Sequence, residues 1–83
     1  MSYQTVLNEN QRLAALKTLE EMPGYQANES ILHTVLETYG HQLSRDQVKT
    51  HLSWLKEQGL VTLQEVSNIQ VATLTTRGND VAL

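Results

Sequence analysis

One stretch of this chain, residues 43–61, limits the possible folds more than any other. It opens with Ser44 and Gln47, which form a capping box: each side chain bonds the backbone amide of the other residue and so starts a helix. Apolar residues then recur at helical spacing for about four turns. Gly59 closes the helix, because glycine readily takes the left-handed conformation found after helix ends. The segment predicts a helix over residues 45–58 that leads directly into a strand.

Two more helices are predicted upstream. The first covers residues 8–22, with Asn8 as its cap and its start placed to within a few residues. Pro23 ends it, because proline lacks the amide donor that would continue the helix. The second covers residues 29–39 and is capped by Asn28. Its apolar residues follow one helical stripe, which predicts that one side faces a core.

Downstream, the sequence predicts a β-hairpin and a final short helical turn. Residues 60–74 are rich in strand-forming residues, and Ser67–Asn68 makes the turn between the two strands. Thr75 or Thr76 caps a turn over residues 76–82. All 83 residues therefore form one predicted domain of the α+β class, a three-helix bundle with a two-stranded hairpin.

Composition removes several classes of protein. Without cysteine the chain has no disulfide, thiolate metal site or cysteine nucleophile. No apolar run approaches the roughly 20 residues of a membrane span. The first residues do not resemble a secretory signal, so a cytoplasmic protein is expected. With no Phe and one Trp in 83 residues the core is small, and association with a second copy is a natural way to bury more surface.

The sequence does not predict an enzyme, a cofactor site or a metal site. The four glycines stand at element boundaries and form no phosphate-binding loop. The three histidines are separated by eight and ten residues, whereas helical metal pairs are roughly three to five apart. A chain of this length is also short for enclosing a ligand pocket of about 300 Å³ or more.

Two spaced patterns carry a resemblance to a known fold. They are Leu52-x-x-Leu55-x-x-x-Gly59-Leu60-Val61, across the helix-to-strand junction, and Leu74-Thr75-x-x-Gly78, after the second strand. With the element order, they resemble winged helix-turn-helix domains over nearly the whole chain. The resemblance implies that helix 45–58 is a recognition helix that enters the DNA major groove. Winged helices also serve as protein-docking modules, so the fold alone does not fix the activity.

A second resemblance is to a small family of proteins from Mu-like phages and prophages. It rests on Pro23-Gly24-Tyr25, Asn28-Glu29-Ser30, Gly40-His41, Ser44-Arg45-Asp46, Trp54-Leu55, Glu57-Gln58-Gly59-Leu60-Val61 and Ala72-Thr73-Leu74-Thr75. Members of that family are described as phage proteins, some of them as regulator-like. The resemblance implies a cytoplasmic, phage-derived protein and supplies no target.

The outward face of helix 45–58 carries the candidate DNA-binding residues. At about 100° per residue, its three bases fall within an arc of about 40°. Two of them lie near the helix N-terminus, where a recognition helix meets base edges or phosphate, and hydroxyl groups add candidate phosphate contacts. The predicted DNA-binding set is Ser44, Arg45, Lys49, Thr50, Ser53 and Lys56. The alternative is an ordinary solvated helix face, because Asp46 and Glu57 occupy the next sector.

Charge supports a second hypothesis about function. The formal net charge is −3, and the hairpin tip, residues 65–70, holds one acid and no base. An acidic tip opposes an approach to phosphate. The first hypothesis is a homodimer that binds double-stranded DNA as a small phage regulator. The alternative is a protein-interaction module that binds a phage or host protein without contacting DNA.

Further predictions concern side chains outside the basic arc. Trp54 lies about 140° from Lys49 around the helix. It is expected to pack against the first helix or the hairpin, with a self-association surface as the alternative. His51 is predicted to be a packing residue on the buried side. Arg12 and Lys17 lie among acidic residues and are predicted to form a solvated face.

Overall fold

Four helices and a three-stranded antiparallel sheet form the described part of the chain, residues 2–82, in the computed structural model. In chain order the elements are α1 (Tyr3–Glu21), β1 (Gln26–Asn28), α2 (Glu29–Thr38), α3 (Arg45–Glu57), β2 (Val61–Val66), β3 (Ile69–Leu74) and α4 (Thr76–Ala82). A single 3-10 turn, Pro23–Tyr25, separates α1 from β1. The predicted α+β class is confirmed. None of the helices within residues 2–82 is both long and apolar enough to cross a bilayer.

Both end signals of α3 act as the sequence predicts. The Ser44 hydroxyl oxygen accepts a hydrogen bond from the Gln47 amide at 3.1 Å, and the Ser44 amide donates to Gln47 Oε1 at 2.8 Å. At the other end, Gly59 has a φ of 75°. There the Leu60 amide donates to the Leu55 carbonyl at 3.0 Å. The helix boundaries therefore follow from local chemistry.

The predicted start of α1 at Asn8 is wrong. The helix begins at Tyr3, because the Ser2 hydroxyl oxygen already accepts a hydrogen bond from the Thr5 amide at 3.2 Å. Asn8 lies inside the helix, where its side chain accepts a bond from the Gln4 amide group at 3.0 Å. A good capping residue caps only if no earlier cap lets the helix run through it.

The sheet has one strand more than the sequence predicts. β1 pairs antiparallel with β3, with Ala27 opposite Ala72, so β3 lies between β1 and β2. β1 has only three residues, with Ala27 buried at its centre, and is too short for an alternating pattern to be recognised in the sequence. The hairpin turn is as predicted: Ser67 and Asn68 have φ values of 51° and 67°, as a two-residue type I′ turn requires.

The core lies where α1, α2 and α3 meet one face of the sheet. Its most deeply buried large side chains are Leu19, Leu32, Leu36, Val48, Leu52, Leu55 and Val61. Three of them belong to α3 and recur at helical spacing. One side of α3 is thereby fixed in the core, and the opposite side faces solvent.

Thr75 joins the end of α3, the sheet and α4. Its amide donates to the Leu60 carbonyl at 3.0 Å, and its hydroxyl lies 2.7 Å from the Gly59 carbonyl oxygen. The same hydroxyl oxygen accepts from the Gly78 amide at 3.0 Å and so caps α4. Gly78 packs so closely that a Cβ would overlap the Leu60 carbonyl oxygen. The Leu-Thr-x-x-Gly pattern therefore reflects close packing at this junction.

Candidate nucleic-acid interface

The turn before α3 is held by bonds that leave the N-terminus of α3 exposed. His33 on α2 donates from Nε2 to the Leu43 carbonyl at 2.7 Å, and the Leu43 side chain is buried. Gly40, with a φ of 91°, lets the chain leave α2 at this point. Ser44 and Arg45 follow the anchored Leu43 and are both exposed. The first turn of α3 is thus presented to solvent from a fixed position.

Arg45 is the least constrained base on this face. It occupies the first position of α3, is exposed, and makes no side-chain hydrogen bond or ion pair with any other residue in the range 2–82. The Ser44 hydroxyl accepts the capping bond, which leaves its own proton free to donate. Thr50 differs, because its hydroxyl donates to the Asp46 carbonyl at 2.9 Å and must release that bond to reach a phosphate.

Lys49 is paired with a buried acid that sequence reasoning did not single out. Its Nζ atom lies 3.8 Å from Oε2 of Glu29, whose side chain is 4 % exposed. Glu29 Oε1 accepts a long hydrogen bond, 3.4 Å, from the Gln70 amide of β3. Glu29 Oε2 has no hydrogen-bond partner within the described chain. Lys49 is therefore the cation nearest an uncompensated carboxylate oxygen, and part of its charge is neutralised in place.

Lys56 lies at the C-terminal end of the face, beside a groove between α3 and the hairpin. The groove has a volume of about 400 Å³ and is lined by Ser53, Lys56, Glu57, Leu63, Gln64, Glu65 and Gln70. Two of the lining residues are acids and one is a base. Ser53 and Lys56 are brought together as predicted, but in a setting whose net charge is negative.

The cationic edge predicted from the sequence is interrupted in the structure. Three bases and four acids lie on or beside the exposed side of α3, with Glu29 contributed from α2: Arg45, Lys49 and Lys56 against Glu29, Asp46, Glu57 and Glu65. The N-terminal half has two bases and two acids, Asp46 and Glu29, together with the positive end of the helix dipole, whereas the C-terminal end has one base and two acids, Glu57 and Glu65. An approaching polyanion would therefore meet the most favourable field at Arg45 and the helix N-terminus.

The prediction that Arg12 lies on a solvated face is wrong. Arg12 donates from Nε to Nδ1 of His51 at 3.4 Å, and its guanidinium lies 4.0 Å from the centre of the Trp54 ring. Nε2 of His51 donates to Gln11 Oε1 at 2.8 Å, deep between α1 and α3. Trp54 lies beside α1 as predicted, with the Arg12 cation over one face of its ring, and 37 % of the residue stays exposed.

His51 is predicted to make stability depend on pH. Burial, and then the nearby Arg12 guanidinium, lower the pKa of His51 below its usual 6.5. The unfolded chain therefore binds the proton more readily than the folded chain. The free energy of unfolding should be highest above about pH 6.5 and should fall as the pH drops towards the pKa of His51 in the folded chain. Urea unfolding of the wild type between pH 7.5 and 5.5 should record this fall.

The matched variants are His51→Gln and His41→Gln, the second in the turn before α3. We expect the pH dependence to flatten in His51→Gln and to persist in His41→Gln. Equal pH profiles in the wild type and His51→Gln would contradict the assignment, whatever the absolute stability of the variant.

The three histidines make different contacts in the fold. His33 bonds the Leu43 carbonyl, His51 bonds Gln11, and His41 lies in the turn before α3. Over residues 2–82, no group of three or more His, Asp or Glu side chains is placed to hold a metal ion.

Two relatives place the chain in a family. It is 49 % identical over 78 residues to a protein of Haemophilus influenzae, a match that covers 93 % of this chain and 76 % of the relative. It is 47 % identical over 77 residues to protein gp26 of Escherichia phage Mu, with coverage of 93 % and 79 %. The chain belongs to the phage Mu gp26 family. The resemblance to Mu-like phage proteins is thereby confirmed.

Membership of the gp26 family supplies no activity. Both relatives bear the name of an uncharacterized protein. No family model matches the chain. The function must therefore be argued from the α3 face and its surroundings.

Proposed function

We propose that this gp26-family domain is a winged helix-turn-helix that binds double-stranded DNA through α3, as a small cytoplasmic phage regulator acting as a homodimer. The observation that carries the proposal is the placement of α3. A short, anchored turn links α2 to α3, and the hairpin follows α3 directly. One side of α3 is fixed in the core, and its first turn is exposed. This order and exposure are what insertion of a recognition helix into a major groove requires.

Charge limits how the domain would contact DNA. Within residues 2–82, Arg45 forms no ion pair, Lys49 is paired with Glu29, and Lys56 lines a groove that also holds two acids. The proposed contact therefore centres on the first two turns of α3, and the hairpin tip stays away from the phosphates. One domain neutralises few phosphates, so affinity should be low at physiological salt and should rise when two copies bind adjacent half-sites.

The experiment is recovery of crosslinked DNA with the tagged protein from cells that carry the phage. Duplexes from enriched regions are then compared with scrambled duplexes by fluorescence anisotropy at low salt. Sequence-selective binding supports the proposal. If no region is enriched, or if duplexes from enriched regions bind no better than scrambled ones, the regulator proposal fails.

A second candidate is a protein-interaction module with a phage or host protein partner. The specific observation in its favour is the acidic groove between α3 and the hairpin, whose neutral members include Leu63 and Gln70. Such a groove fits a basic partner segment better than it fits a nucleic acid. A pull-down from induced cells that enriches one protein, with no selective DNA, would favour this candidate.

Under the DNA proposal, Glu29→Gln should strengthen binding. Removing the carboxylate leaves the Lys49 ammonium free to pair with a phosphate. Because Lys49 is 46 % exposed and its pair with Glu29 is partly screened by water, the gain should be modest, about two- to fivefold in affinity. Anisotropy titration at constant salt would measure the change.

Glu21→Gln is the control for that variant. Glu21 is exposed on α1, so this change alters the net charge equally at a site remote from Lys49. An equal gain in affinity in both variants would mean that the effect comes from net charge alone. It would contradict a role for the Lys49–Glu29 pair.

A further inference from the structure

Half of the exposed large apolar side chains in the described chain lie on three helices, α1, α3 and α4. Residues 2–82 expose ten large hydrophobic side chains, and five of them lie on α1, the C-terminal half of α3 and α4: Tyr3, Val6, Leu13, Trp54 and Val81. The three on α1 fall within an arc of about 80° at 100° per residue. We call these five residues the apolar face. Single exposed hydrophobic residues need no explanation, whereas a contiguous group points to a partner.

A recess lies within the apolar face. Leu13, Trp54 and Val81 rim it, with exposed fractions of 38 %, 37 % and 49 %. Leu16 and Leu55 form part of its floor, and its volume is about 210 Å³. That is below the roughly 300–1,000 Å³ of sites for drug-sized molecules. The recess is thus better suited to a protruding side chain from another protein surface than to a small ligand.

The charges at the rim of the recess are complementary to each other but unpaired. Glu9 and Arg12 both line it, three residues apart on α1. They form no ion pair with each other or with any other residue across the range 2–82. Arg12 uses only Nε to bond His51 and stacks on Trp54, which leaves its terminal nitrogens free of hydrogen bonds within the described residues.

We infer that the apolar face is the surface on which two copies of this chain associate about a twofold axis. In such an interface, the contact between one residue and a second residue of the other copy occurs twice, once in each direction. The patch must therefore be complementary to itself. Glu9 and Arg12 supply both signs of charge on the same patch, and two reciprocal ion pairs form across the axis. The apolar side chains of one copy cover the recess of the other. This inference deepens the proposed function, since it rests on the homodimer named there.

Such a dimer leaves the proposed DNA contact open. Trp54 projects about 140° away from Lys49 around α3, so the apolar face and the Arg45 end of the DNA-binding edge point in different directions. In each copy, Trp54 of α3 then faces the interface, and the edge of α3 that carries Arg45 and Lys49 faces away from it. Doubling the number of exposed bases offsets the shortage of cations in one domain.

Sedimentation equilibrium of the protein without DNA tests the inference. The wild type should shift from 9.4 kDa towards twice that mass as its concentration rises. Leu13→Glu and Val81→Glu each place like charges across the axis and should remain monomeric. Val66→Glu is the matched control, because Val66 is 51 % exposed at the hairpin tip, outside the apolar face. It should dimerise as the wild type does. Circular dichroism melts verify that each variant is folded.

Trp54 provides an independent readout, because it is the only tryptophan in the chain. Its emission should shift to longer wavelength on dilution of the wild type and stay constant in Leu13→Glu. A wild type that is monomeric at every concentration, or glutamate variants that dimerise like the wild type, would overturn the inference. So would a monomer whose recess binds the dye anilinonaphthalene sulfonate, with Leu13→Glu abolishing that binding. None of these outcomes involves DNA, so they are separable from failure of the DNA proposal.

Discussion

Replacing Arg45 and Lys49 together with alanine should weaken binding to a selected duplex by about 100-fold, or about 2.7 kcal/mol. The two bases lie one turn apart at the start of α3, where the positive end of the helix dipole also favours an anion. Arg45 should account for most of the loss, because it has no partner in the described chain and can pair fully with a base edge or a phosphate. Lys49 gives up its contact with Glu29 when it binds DNA, so its net contribution is smaller.

The salt dependence of binding distinguishes direct contact from an indirect effect. Loss of two phosphate contacts should reduce the slope of log K against log salt by about two. The control is Lys17→Ala with Arg77→Ala, which removes the same net charge from exposed positions on α1 and α4. If the control weakens binding as much as the α3 variant does, the effect is one of total charge and α3 is not the contacting helix.

Local chemistry explains how much of the fold could be predicted. The capping box of Ser44 and Gln47 and the left-handed Ser67–Asn68 turn are formed by residues within three positions of each other. Their geometry is therefore present in a short window of sequence. α3 and the hairpin were located on this basis, and the candidate DNA-binding residues with them.

Contacts between distant residues explain what could not be predicted. β1 exists because Ala27 pairs with Ala72, and three residues are too few to predict a strand from their own sequence. In the candidate site, Glu29 has the position of an ordinary acid at a helix start. Its burial arises from β3, which packs over it and donates the Gln70 amide to it. Only the tertiary fold reveals that Glu29 neutralises part of the charge of Lys49, a proposed DNA-binding residue.

The same reasoning applies to the opposite side of α3. Arg12 and His51 lie 39 residues apart, and their contact forms only once α1 packs against α3. The acidic residues around Arg12 in the sequence predict a solvent-exposed side chain. One signal in the sequence could have been used. Gln11 and Arg12 are adjacent on one helix, and His51 lies on the buried side of another, so the three side chains can satisfy one another's hydrogen bonds.

Gly78→Ala should cause a large loss of stability, because among the four glycines only Gly78 has no room for a Cβ. Its new Cβ would overlap the carbonyl oxygen of Leu60 and lie 2.7 Å from Leu74 Cδ1. The oxygen belongs to the backbone and already accepts from the Thr75 amide, so it cannot move without breaking that bond. We expect a loss of about 3 kcal/mol, the upper part of the range for overpacking, even after the helix propensity gained by alanine.

That loss is large for a domain of this size, whose total stability should be about 4–12 kcal/mol. Urea unfolding followed by circular dichroism measures it, with Thr76→Ala, an exposed change on the same helix, as the control. The control should stay within about 0.5 kcal/mol of the wild type. A Gly78→Ala protein as stable as the control would mean that α4 moves away from Leu60 at little cost. The Leu-Thr-x-x-Gly pattern would then mark a mobile attachment, and the recess edge formed by Val81 of α4 would not be fixed in place.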